Sequence, residues 1–198
     1  MRFFLSFIPL LAPFCFMLCS NPRAIFADEK EIIIWQENRP LAWDDFQGKP
    51  QKRFAAASTH YDIQKIIDVQ KGDSIAITIQ AVFFCKKSWK KESWISESVL
   101  RHEQKHFDIV ELYARKLRKL INANNYSSAI ELTIKSDSLY AIIDKEMDVY
   151  QDKYDDETDG SMNGEQQRAW EKKITNEISE LEAYKNKSSI IYLQNKSH

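Results

Sequence analysis

Hydrophobic positions along this chain change their period once. Between Glu31 and Phe84 they fall in short β-branched runs or on every second residue: Glu31-Ile-Ile-Ile-Trp35, Ala55–Val69 around Tyr61, Ile63 and Ile67, and Ser74–Phe84 with Ile75, Ile77, Ile79, Ala81 and Phe83 on one face. Period two sends successive side chains to opposite faces of a strand, so these segments predict a small antiparallel sheet, with Lys71-Gly72-Asp73 as the hairpin turn between the last two. Pro40 to Pro50, with Gly48, Trp43 and Phe46 inside it, reads as a loop that packs rather than a strand.

From Ser93 onward the period becomes helical. Val99, His102, His106, Ile109, Tyr113, Leu117 and Leu120 recur at steps of three and four until Asn122-Ala-Asn-Asn125 ends the run. A second helix is expected over about Ser127–Tyr154, with Leu132, Leu139, Ile143, Met147, Tyr150 and Tyr154 on one stripe, and a third over about Gln166–Tyr184. Between them Asp155–Gly164 is acidic and glycine-bearing, too polar to continue either helix, and the tail after Lys185 is expected to be loosely held. The change of period near Ser93 predicts an α+β fold, an N-terminal antiparallel sheet packed on the first helix and followed by two further long helices.

The first 27 residues carry a different pattern. Arg2 precedes an apolar run from Phe3 to Leu18, broken by Pro9 and Pro13 and followed by polar residues up to Ala27. About 16 apolar residues fall short of the roughly 20 that a membrane span needs, so residues 1–27 read as a secretory signal peptide with cleavage after Ala27. Cys19 is an alternative lipidation site, but Phe16, Met17 and Leu18 lack the small residues that usually precede such a cysteine. The expected mature product is one domain over 28–198, secreted or held in the periplasm or cell envelope, with no integral membrane span.

Composition narrows the function classes. The 198 residues hold 28 Lys+Arg against 29 Asp+Glu, and cleavage after Ala27 removes Arg2 and Arg23 but no acid, so the exported part is mildly acidic and gives no electrostatic reason to expect nucleic acid. Gly48, Gly72, Gly160 and Gly164 cannot be assembled into a phosphate-cradling motif. Loss of Cys15 and Cys19 leaves Cys85 alone, without an internal disulfide, and it reads as a packed thiol. Ser88-Trp89-Lys90-Lys91 reads as a turn anchored by Trp89, and the Asn-x-Ser tracts at Asn125, Asn186 and Asn195 are common by chance.

One motif carries chemistry. His102-Glu103-Gln104-Lys105-His106 is an HExxH string inside the first helix, where the i, i+4 spacing points two imidazoles from one face, as two Zn²⁺ ligands require, and places Glu103 as general base toward a water at the metal. Two satisfied core histidines are the alternative, but each would need its own hydrogen-bond partner, whereas one metal serves both. A third ligand is needed. Glu111 lies about 900° on from His102 and Asp108 about 200° on from His106, so both face away. The acidic tract with Asp155, Asp156, Glu157 and Asp159 is the better source.

These residues together resemble a known family. Trp43…Phe46-Gln47-Gly48-Lys-Pro50, Ala55-Ala-Ala-Ser-Thr59, Ser88-Trp89, Leu100-Arg-His-Glu-Gln-Lys-His-Phe-Asp-Ile109 with Glu111 and Ala114-Arg115, then Tyr154-Asp155…Thr158 and Gln167…Trp170, look like the bacterial secreted family named domain of unknown function 922, described as predicted secreted zinc-dependent proteases. The resemblance implies a zincin-like site with His102 and His106 as zinc ligands, Glu103 as general base, and a peptide or protein substrate. The family pattern carries a histidine where this chain has Gly160, so Asp159 or a neighbouring acid is expected as the third ligand, or else the site has degenerated. Two functions follow: a zinc metallopeptidase of the cell envelope, or a non-catalytic binding or scaffold protein that has kept the fold.

Overall fold

The computed structural model describes residues 32–70 and 73–194. The expected signal peptide with Cys15 and Cys19, the Lys71-Gly72 part of the hairpin turn, Asn195 and His198 lie outside the described residues.

Strand β4 (Ser74–Phe84) is the spine of a four-stranded antiparallel sheet. One edge pairs along its length with β3 (Tyr61–Val69), from Tyr61 opposite Phe83 to Val69 opposite Ile75. The other edge is shared: β1 (Ile32–Ile34) takes the C-terminal end of β4, and β6 (Ser188–Tyr192) takes its N-terminal half, Ile191 standing opposite Ile75. The alternation in β4 works as the sequence implies, since Ile75, Ile77, Ile79, Ala81 and Phe83 are all buried. Two short strands, β2 (Ala57–Ser58) and β5 (Trp89–Lys90), form a separate antiparallel pair. The expected Ala55–Val69 strand is therefore split, because β2 leaves the main sheet for β5; Ser88 Oγ accepts from the His60 N–H at 2.9 Å at the branch point.

Helix α1 (Glu97–Asn122) starts at Ser96, whose hydroxyl accepts from the Val99 N–H. It packs against the sheet on one side and against α2 (Ala129–Thr158) and α3 (Gly164–Glu180) on others. Covered over most of its surface, α1 buries charged groups as well as apolar ones, and these are paired. Glu111 Oε1 accepts from Arg115 Nε and Arg118 Nη1, both at 3.0 Å, while Arg118 Nε donates to the Ile79 carbonyl of β4 and Arg115 Nη1 to the Ile178 carbonyl of α3. These guanidiniums tie the C-terminal half of α1 to the sheet and to α3.

Three expectations need correction. α2 does not stop near Tyr154 but runs to Thr158, because Gln151, Tyr154 and Thr158 continue its buried stripe with polar side chains that find partners. The acidic tract thus begins as helix, and only Asp159–Asn163 connects α2 to α3. The tail is not loose: residues 188–192 form β6, and Leu193 N donates to Asp73 O at 2.8 Å. The Pro40–Pro50 loop packs, burying Leu41 and Phe46 around a short 3₁₀ turn at Trp43–Asp45. Cys85 is buried and unpaired, and burial pushes its thiol pKa up. Among the described residues no helix is long and apolar enough to cross a membrane.

Ending the chain at Lys187 would strip β6 from β4 and leave five paired positions of a core strand open to water. We expect it to lower the free energy of unfolding by at least about 2 kcal/mol, read as a fall in urea midpoint.

Candidate metal centre

His102 and His106 sit one turn apart near the N-terminal end of α1, and both are buried, at 4% and 9% exposure. The last two turns of α2 cross in front of them and supply Asp155. Asp155 Oδ1 lies 3.0 Å from His102 Nε2 and 2.9 Å from His106 Nε2, and the two Nε2 atoms are 3.1 Å apart. Helix periodicity accounts for both halves of this arrangement: positions 102 and 106 share a face of α1, while Gln151, Asp155 and Thr158 share a face of α2.

Hydrogen bonds on the far side of each ring fix its tautomer. Gln151 Nε2 donates to the His106 carbonyl at 3.0 Å, so its Oε1 must be the atom 2.7 Å from His106 Nδ1, which therefore carries a proton. Gln167, from the first turn of α3, donates from Nε2 to Glu171 and presents Oε1 at 3.2 Å to His102 Nδ1. Tyr154 stacks on the His102 ring with centroids 4.7 Å apart and donates to the His102 carbonyl. Both imidazoles thus turn their Nε2 atoms toward each other and toward a carboxylate.

Three acceptors within about 3 Å of one another need positive charge between them. A single proton on His106 Nε2 serves only part of the set. Burial alone would lower the His106 pKa, but the hydrogen bond and charge of Asp155, with Glu103 nearby, raise it to about 9. Burial likewise pushes Asp155 up, yet the two imidazoles more than reverse this and hold it well below the usual carboxylate range. A metal ion satisfies all three at once, and ligands about 2.0–2.1 Å from a tetrahedral centre stand roughly 3.3 Å apart, close to the 2.9–3.1 Å found here. His102, His106 and Asp155 are accordingly a group that can hold a metal ion.

A cleft of about 300 Å³ opens beside the group, lined by Ala57, Thr59, Tyr61 and Gln151 among others, and by Glu103. Glu103 is 5% exposed and its Oε2 accepts from the Thr59 hydroxyl at 2.8 Å. The other sequence candidates lie elsewhere. Asp159 is the residue that caps α2, exposed and in the left-handed region at φ 49°, and does not join the group. Gly160 lines the cleft, with nothing within 4 Å of where a Cβ would sit. Glu157 accepts from Trp170 Nε1, and Asp108 from Trp35 Nε1, Gln104 and Lys105. Asp155 takes the place expected of Asp159 because α2 continues past Tyr154, which fixes which acid faces α1. The resemblance includes Thr59 and Gln167 without giving them a role, and Gln151 is missed; the signal for the two glutamines is polarity at positions that helical spacing places on a buried face.

A family model described as "Bacterial protein of unknown function (DUF922)" matches residues 46–164, more than half of the chain and the whole stretch that supplies His102, His106 and Asp155. No curated protein and no solved structure matches.

Alanine at His102, His106 or Asp155 should each weaken metal binding by at least about 100-fold in competition with a chromogenic chelator, while Asp159→Ala changes it less than about twofold. The pH dependence has a definite sign. His106 is protonated in the metal-free protein up to about pH 9 but only to about 6.5 when unfolded, so its contribution to stability is full below pH 6.5 and fades as pH rises through 9. Asp155 acts oppositely, its contribution being lost only as pH falls below the ordinary carboxylate range. Urea titrations with a chelator present should show the metal-free protein weakening from pH 6.5 to 9, and metal binding near pH 7 should release about one proton.

Proposed function

The chain belongs to the bacterial family of unknown function DUF922, and on that premise and the geometry of its His–His–Asp group we propose that it is a zinc-dependent peptidase with a zincin-like centre. The observation that carries this reading is Glu103: a carboxylate on the same helix as both histidines, lining the same cleft as Asp155 and held by Thr59. Two imidazoles with one carboxylate suit Zn²⁺, with a coordination position left for reactants. Zinc bound there would supply Lewis-acid polarisation of a substrate carbonyl and would acidify water.

The chain's own groups do the rest. His102 and His106 are kept in one tautomer by Gln167 and Gln151, so their Nε2 lone pairs are preorganised. Glu103 accepts a proton from the attacking water and returns it to the leaving amine as the C–N bond breaks, while the water oxygen ends in the new carboxylate. Thr59 orients Glu103 from the β2 side of the cleft. Burial of both imidazoles and of Glu103 strengthens every charge interaction in the cleft. We read residues 1–27 as the export signal, and the site of action as the cell envelope or its exterior.

Glu103→Gln is the discriminating variant. It should retain stoichiometric zinc, measured by elemental analysis after dialysis, and lower hydrolysis of an unstructured protein such as casein by at least about 100-fold. Activity that survives this change would move the base to another residue.

A further inference from the structure

The cleft has an apolar rim that the chemistry above does not use. Phe54 is 96% exposed and Trp94 45% exposed, and their rings meet edge to face with centroids 5.4 Å apart. Phe54 lines the same cleft as His102, Glu103 and Asp155. Side chains of this size ordinarily go inside, because burial removes a large apolar area from water.

The exposure is built in rather than the by-product of a loose loop. Lys91 N donates to the Ala56 carbonyl at 2.7 Å, and the Lys91 ammonium reaches the Arg53 carbonyl while standing 4.5 Å from the centre of the Trp94 ring. Arg53 donates to Ser58 Oγ and lies over the ring of Trp89, itself fully buried in β5. Both cations beside the aromatic pair donate to neutral oxygens and keep their charge, so the rim offers an apolar surface edged by positive charge. The pair therefore stands on a tied backbone with its rings turned to solvent, where an apolar group can cover them.

An occupant of this rim also meets the metal group, since Phe54 and Asp155 line one cleft. We infer that Phe54 and Trp94 form a specificity subsite for a bulky apolar side chain, aromatic or Leu/Met, of a polypeptide segment whose backbone crosses the His102–His106–Asp155 group. This rests on the peptidase reading and names its substrate class. The cleft is lined by Asp152 and Asp155 but also by Arg53, and Lys91 stands at the Trp94 ring, so charge gives no single preference here and the apolar area of the rim sets it.

The test uses the Glu103→Gln protein loaded with zinc, so that binding is read without turnover. Blocked pentapeptides acetyl-Ala-Ala-Xaa-Ala-Ala-amide, with Xaa as Phe, Leu, Ala or Asp, are titrated by calorimetry and by tryptophan fluorescence. Trp94 is the exposed one of the chain's five tryptophans, so the fluorescence reports on the rim, and Trp94→Phe should abolish the signal while keeping calorimetric binding. We expect Phe and Leu peptides to bind roughly ten- to a hundred-fold tighter than the Ala and Asp peptides. Phe54→Ala should erase that preference without altering zinc content, and Ile134→Ala, an exposed apolar residue of α2 outside the cleft, should leave it intact. Equal binding of all four peptides, or a preference that survives Phe54→Ala, overturns the subsite but leaves the peptidase reading standing if the wild type still hydrolyses casein. Failure of any peptide to bind, with casein untouched, overturns both. Partition of the protein onto phosphatidylcholine vesicles through Phe54 and Trp94, without peptide preference, would assign the rim to lipid and overturns the inference.

Discussion

Two imidazole nitrogens and a carboxylate oxygen held about 3 Å apart need positive charge among them, and much of the structure serves to hold them there. Each is an acceptor, each is turned toward the other two, and one proton cannot serve them all. Below about pH 9 a proton on His106 draws it to Asp155, and the surrounding structure fixes how the three groups meet. Gln151 and Gln167 do so by occupying the Nδ1 atoms, Tyr154 by stacking on one ring, and the end of α2 by carrying Asp155 across the face of α1. A group held together in this way can hold a metal ion.

The architecture supplies the rigidity this needs. α1 is covered by the sheet and by two helices, so its N-terminal turns cannot shift without disturbing the core. Glu111, Arg115 and Arg118 extend that fixation along the helix by ionic hydrogen bonds to both layers. The second sheet contributes differently, because β2 and β5 stand apart from the core and hold Thr59 against Glu103 and Phe54 at the rim. The metal group is thus assembled between a largely buried α1 and the end of α2, with the β2–β5 pair standing beside the cleft.

Much of this is legible in the sequence because it is local. Alternation in Ser74–Phe84, helical spacing from Ser93 and the HExxH string each involve residues within a few positions of one another, and the period alone reports which face is buried. What escapes is non-local. Strand β6 carries only two isoleucines, and its pairing with β4 is a matter of backbone hydrogen bonds that leave no mark on side-chain pattern. Asp155 lies 53 residues from His102, one of four acids in a short tract, and its selection depends on the phase of a helix whose last turn looks too polar to exist. That turn forms because Gln151, Tyr154 and Thr158 are buried as hydrogen-bond partners rather than as apolar filling. A hydropathy pattern does not distinguish such residues from solvent-facing ones.

The distance between the halves of the metal group has a consequence for the order of events in the life of the chain. The two histidines belong to one helix, but the acid arrives only when α2, made later, has docked on α1. An unfolded or partly made chain has no preformed three-ligand set, so it has little means of competing for scarce cations. A cation taken up by this group is therefore drawn from whichever compartment the chain folds in, not captured while the chain is still incomplete.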